Sequence, residues 1–190
     1  MKREVGSLNN IFIIHGSFGS NIENWFPWLK EQLDNDNTLV TIPQFPINEL
    51  QCYDNWKELF NYYYNLGYIN DKTTLIGHSI GCIFIVKYLL EKKIKVNKII
   101  LISGFNNYKL IEEFDKVNKS FFMGEAEFNS LNDYANEIIS IHSDNDPYIS
   151  LEELKRFSSA IHSKEILIEK AGHFNVTAGY KTFEEVLKYI

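Results

Sequence analysis

Short runs of isoleucine, leucine and phenylalanine, each followed by a polar or glycine-bearing loop and a helix-length segment, constrain this chain more than any other feature. The runs are Ile11–Ile14, Thr38–Ile42, Thr73–Ile76, Lys98–Ile102, Glu137–His142 and Glu165–Glu169. A continuous apolar run of this length suits a strand covered on both faces. Helical spacing fills the gaps. Trp25–Leu33 has Asn24 as its expected cap and Pro27 in its first turn. Glu49–Leu66 carries Leu50, Tyr53, Trp56, Leu59, Phe60 and Tyr63 at helical intervals, with Gly67 just past its end. Ile80–Leu90 is apolar on nearly every side, as a helix buried against a sheet should be. Ser150 and Glu153 form a capping box for Leu151–Ala160, and a last helix is expected near Thr182–Ile190. Strands alternating with helices imply crossover connections and a mostly parallel sheet in an α/β sandwich of three layers. Phe105–Tyr134 breaks the rhythm, being polar and aromatic with no clear strand, and reads as a small cap-like excursion over the strand ends.

A length of 190 residues fits one domain spanning 1–190. With 45% apolar and 15% aromatic residues the chain is a globular protein. Its net charge of −6 argues against general affinity for nucleic acid or anionic membranes. The basic start at Met1–Ser7 lacks the apolar run of a secretory signal, and no stretch reaches membrane-span length. Cys52 and Cys82 are too few and too far apart for a disulfide framework or a zinc site. A reducing cytoplasmic setting is expected, with oligomeric state left open.

The loops that follow the strands hold the chemistry. Gly77-His78-Ser79-Ile80-Gly81 matches G-x-S-x-G between a β-prone run and an apolar helix, the setting of a serine on a sharp strand-to-helix corner. In an open parallel sheet, ligands bind beyond the carboxyl ends of the strands. Four loops converge there: the glycine-bearing turn after Ile14, the Ser79 corner, Asp144 and Asp146 after His142, and His173 after Glu169. A serine hydroxyl is a weak nucleophile until a base takes its proton, which His173 can do. A carboxylate then holds the imidazole tautomer, and two N–H groups hold the oxyanion, here those of Ser17 and Ile80. Asp144 and Asp146 compete for the acid role. Asp146 has the favoured register before Pro147-Tyr148-Ile149, leaving Asp144 to orient the loop. His78 and His15 are read as structural, His142 and His162 as strand-end and surface residues. The loop is not a calcium site, since it lacks the required glycine and Tyr148 and Ile149 supply no carboxylate.

Together with Trp25-Phe26-Pro27-Trp28-Leu29 and Gly172-His173-Phe174, these motifs resemble the RBBP9/YdeN-like serine hydrolases, a family of small α/β-hydrolases, from about Asn10 to the carboxyl terminus. The resemblance implies a compact α/β-hydrolase-like domain with little or no lid and a Ser79–Asp146–His173 triad. It also implies no cofactor or metal and carboxylesterase activity on a small-molecule ester. Phe105–Tyr134 departs from the family pattern. Phe18, Trp25, Phe105, Phe121 and Phe122 are the candidates for an apolar acyl pocket. A thioesterase or aminopeptidase would use the same residues, and a protein-interaction module could keep the fold without the chemistry.

Overall fold

The computed structural model describes residues 9–106 and 112–190. The Met1–Ser7 segment and residues 107–111 of the excursion lie outside that range. Each apolar run forms a strand: β1 (Asn9–Ile14), β2 (Thr38–Thr41), β3 (Thr74–His78), β4 (Val96–Ile102), β5 (Ala135–Ser143) and β6 (Lys164–Ile168). They make one six-stranded sheet in the order β2-β1-β3-β4-β5-β6. Every neighbouring pair is parallel, so the sheet is parallel throughout.

Side chains alternate across a strand, and here the alternation feeds two separate cores. Phe12, Ile14, Leu75, Ile99 and Leu101 pack under the helices α2 (Tyr53–Asn65), α3 (Ile80–Lys92) and α5 (Leu151–Ala160). Ile11, Ile13, Ile76, Ile100, Ile102 and Ile141 pack against α1 (Phe26–Leu33) and the carboxy-terminal residues Phe174, Phe183 and Val186. Helices on both faces complete the expected three-layer sandwich. The α3 helix packs beside an aromatic layer that itself reaches the sheet, where Phe60 meets Phe12 edge-on at 5.4 Å, and Ile80–Val86 are all buried. In that layer Phe45 stacks on Trp56 at 4.5 Å, and Phe84 meets Trp56 and Phe60 edge-on at 5.4 Å each. Burying one such ring stabilises by about 1.5–3 kcal/mol, so this face holds α3 firmly under the site.

Local expectations failed where tertiary contacts offered a better partner. Asn24 does not cap α1. Its φ of 52° lies in the left-handed region, and its carboxamide oxygen accepts the Val176 N–H at 2.9 Å instead. The long helix expected over Glu49–Leu66 is broken: a 3₁₀ turn at Asn48–Leu50 precedes α2, so Leu50 is exposed while Tyr53, Trp56 and Phe60 are buried. The last helix is a 3₁₀ segment, Glu184–Tyr189. Ser150 does cap α5 by accepting the Glu153 N–H at 3.2 Å. The described part of the excursion contains α4 (Glu112–Asn118) and a 3₁₀ stretch, Glu125–Asp133, which sends Phe128 and Leu131 into the α3-side core.

The strand order reverses between β1 and β3. Chains leaving these two strands diverge over opposite sides of the sheet and open a crevice at their carboxyl ends. The Ser79 corner and the loop after β1 form its two lips.

Candidate active site

Ser79 joins β3 to α3 with φ 57° and ψ −124°, a conformation that costs a non-glycine residue of order 1–3 kcal/mol. Backbone contacts hold it there: its N–H donates to the Ile102 carbonyl at 2.9 Å, and its carbonyl accepts from Cys82 at 3.0 Å. The flanking glycines answer to sterics. A Cβ on Gly77 would lie 2.9 Å from the Cα and N of Cys82, and one on Gly81 would lie 2.6 Å from the Ile14 carbonyl oxygen. The helix can therefore sit this close to β3 only with glycine at 77, and this close to β1 only with glycine at 81. Ile80 opens α3, so its N–H has no partner within the helix.

Across the sheet, side chains at the end of β5 and in the loop after it lace that loop to the one after β6. Asp144 Oδ1 accepts the Lys170 N–H at 2.7 Å, Ser143 Oγ accepts Ala171 N–H at 2.9 Å, and Asn145 Oδ1 accepts Gly172 N–H at 2.8 Å. The next step brings His173 Nδ1 to Asp146 Oδ2 at 2.6 Å. The other oxygen of Asp146 accepts the Tyr148 and Ile149 N–H groups at 2.9 and 3.1 Å. Burial by itself would raise this carboxyl's pKa. The hydrogen bond and charge of His173, with the two backbone donors, outweigh it and hold Asp146 below the usual carboxylate range. Asp144, by contrast, points at backbone and not at the imidazole.

His173 is packed from two sides. Tyr148 meets its ring edge-on at 5.0 Å, and His78 lies 4.9 Å away, with Nε2 at 2.8 Å from the His173 carbonyl. Burial first, and the nearby His173 second, lower the His78 pKa to about 3. It is thus a neutral imidazole donating to backbone. His15 is also buried and neutral-leaning: Nδ1–H donates to the Gly16 carbonyl at 2.8 Å and Nε2 accepts the Phe45 N–H at 3.0 Å, which ties the loop after β1 to the strand β2 side.

Ser79, His78 and His173 line one cleft of about 620 Å³, together with Gly16, Ser17, Phe18, Glu23, Tyr148 and, from α4, Phe114. Phe18, Asn24 and Ser79, all lining residues, share positive φ values of 52–57°. Burial raises the pKa of the Glu23 carboxyl on the cleft wall, partly offset by a hydrogen bond from Ser20 backbone.

Of the aromatic residues expected on the acyl pocket, Phe18 lines the cleft and is half exposed. Trp25, Phe105 and Phe121 do not: all are fully buried. Trp25 belongs to the α1-side core, where Nε1 donates to the Phe174 carbonyl at 3.0 Å, and Phe105 and Phe121 belong to the α3-side core. Phe122 lines a neighbouring groove with Cys52, Lys87 and Lys119. These rings have too much apolar area to stay at a half-open cleft when a core is within reach. The walls come instead from Glu23, Tyr148, Asn175 and Phe114, for which periodicity and motif carry no signal. Tyr148 alone was within reach, two residues past Asp146.

Among the described residues, no helix is long and apolar enough to cross a membrane. The chain is 28% identical over 174 residues to the Bacillus subtilis (strain 168) protein YdeN, named as a hydrolase, covering 90% of this chain and 88% of YdeN. The crystal structure of the B. subtilis ydeN gene product superposes with a TM-score of 0.82 at 26% identity, over 95% of this chain and 96% of that one. A meta-cleavage product hydrolase from Pseudomonas fluorescens IP01, CumD, is similar in fold alone, with a TM-score of 0.72 at 13% identity over 97% and 88% of the two chains. The sandwich is therefore an α/β-hydrolase fold. The family model described as serine hydrolase matches residues 11–190, and the chain belongs to that family.

Proposed function

We propose that this serine hydrolase cleaves small carboxylic esters through an acyl-enzyme formed on Ser79. The observation that carries the reading is the 2.6 Å bond from Asp146 Oδ2 to Nδ1 of His173, which shares one cleft with the strained Ser79 corner. With Nδ1–H committed to Asp146, the His173 Nε2 lone pair is the base. It takes the Ser79 proton as Oγ attacks the ester carbonyl, and the charge on the former carbonyl oxygen falls to the N–H groups of Ser17 and Ile80. Collapse breaks the C–O bond, and imidazolium returns the proton to the departing alcohol. Water, deprotonated by the same nitrogen, then releases the acid and restores Ser79. A cleft of about 620 Å³ with a tyrosine and a phenylalanine on its walls suits a short acyl chain, so p-nitrophenyl butyrate should turn over faster than long-chain esters.

A fluorophosphonate probe tests the assignment. It should label the folded wild type at Ser79 and leave Ser79→Ala untouched. A wild type that stays unlabelled would overturn the proposal.

A further inference from the structure

We infer that Gln51 and Asn118 are positioning residues for the oxyanion donor on the loop after β1. The inference rests on the reading of Ser79 as nucleophile and adds residues that the motifs do not touch. An N–H donor stabilises an oxyanion only if its peptide plane is held to within about 10–20°. The loop holds one end of this peptide plane itself, since the Gly16 carbonyl accepts His15 Nδ1–H at 2.8 Å. Its backbone contributes one bond, Gly19 N–H to the Gly16 carbonyl at 3.2 Å, and Phe18 sits at a positive φ of 55°.

Side chains from elsewhere supply the rest of the restraint. Gln51 Oε1 accepts the Phe18 N–H at 2.8 Å, which holds the strained residue and commits that amide away from the cleft. Gln51 Nε2 donates to Ser17 Oγ, and also to Asn118 Oδ1 at 2.7 Å. Ser17 Oγ in turn donates to Asn118 Oδ1 at 2.8 Å, closing a ring of three side chains. Asn118 Nδ2 donates to the Phe114 carbonyl at 2.8 Å, within α4. Every polar atom of the two carboxamides therefore has a partner, and both residues are buried, at 3% and 0% exposure.

A closed polar ring in a buried place is costly to leave half made, and filling space alone would need only an apolar side chain. What the ring adds is orientation. With the Ser17 hydroxyl gripped on one side and the Phe18 N–H committed to Gln51 on the other, the Ser17 N–H itself has no backbone partner among the described residues. It belongs to a loop that passes Ser79: a Cβ on Gly16 would lie 3.1 Å from the Ser79 Cβ. The ring also joins this loop to α4, whose Phe114 forms part of the cleft wall.

The experiment compares wild type, Gln51→Met and Ser17→Ala, with p-nitrophenyl butyrate as substrate and an aliphatic trifluoromethyl ketone as a mimic of the tetrahedral oxyanion. Gln51→Met keeps the bulk and loses the hydrogen bonds; Ser17→Ala keeps the amide and loses the clamp. For Gln51→Met, kcat should fall about 10–100-fold with KM within threefold, less than the ~10²–10³-fold loss of a donor outright. Ketone affinity should weaken by the same factor as kcat. Ser17→Ala should lose a smaller factor in the same pattern and supplies the answer if Gln51→Met fails to fold. Folded variants with kcat within twofold of wild type, or with the loss confined to KM, would overturn the positioning role while Ser79 labelling survives. Absence of labelling in the wild type would overturn both readings.

Discussion

The Ser79 corner and the loops that surround it solve the same problem by different means. The corner is held by backbone alone: hydrogen bonds from Ser79 to Ile102 and Cys82, and two glycines pressed against the main chain of β1 and α3. The loops are held by side chains, with Ser143, Asp144, Asn145 and Asp146 gripping residues 170–173 on one side, and Gln51 and Asn118 gripping Ser17 and Phe18 on the other. A steric contact with backbone is relieved only by moving the main chain. Hydrogen-bonded restraint can be loosened one bond at a time, so damage at the corner should appear as lost stability, and damage in the loops as lost chemistry.

Asp146→Asn should give the largest effect. The carboxamide no longer holds the imidazole in the acceptor tautomer at Nε2, so ester turnover should fall by about 10³–10⁴-fold, ~4–5.5 kcal/mol of transition-state stabilisation. The fold should survive, as read by thermal unfolding. Turnover within tenfold of wild type would remove Asp146 from the mechanism. Gly81→Ala attacks the other construction. Its added methyl meets the Ile14 and His15 carbonyl oxygens at 2.6 and 2.7 Å, and urea unfolding should register a loss of about 3 kcal/mol. A variant as stable as wild type would show that the corner yields more readily than its backbone contacts imply.

His78 sharpens the comparison through pH. Its folded pKa, about 3, lies below the ordinary value near ~6.5, so between these values the unfolded chain binds the extra proton. The contribution to stability is thus fully present above pH ~6.5 and is lost as pH falls toward 3. His78→Gln cannot titrate, and its urea midpoint should change less with pH than that of wild type between about pH 6.5 and 4. Equal slopes would contradict the buried neutral imidazole. Asp144→Asn should have the smallest effect. Asparagine keeps an oxygen for the Lys170 N–H, so turnover should stay within threefold and stability within about 1 kcal/mol. A loss matching that of Asp146→Asn would move the acid role to Asp144.

The six strands, α3 and the convergence of Ser79, Asp146 and His173 on one end of the sheet were legible from residue order, because each depends on a local pattern repeated along the chain. A run such as Ile11–Ile14 has few alternatives to a covered strand, and glycines at 77 and 81 around a serine between strand and helix leave little choice of corner. The cleft walls were not legible. Trp25, Phe105 and Phe121 are as aromatic as Phe18, and nothing in their spacing says that three of them go to the cores. Nor does any spacing link Gln51 and Asn118 to Ser17, since those bonds join residues 34 and 101 positions apart. Local periodicity specifies which way each strand and helix faces. Which polar atoms meet across the crevice is settled only when the layers pack, because a buried amide takes whatever partner lies within 3 Å in space, however far away it is in sequence.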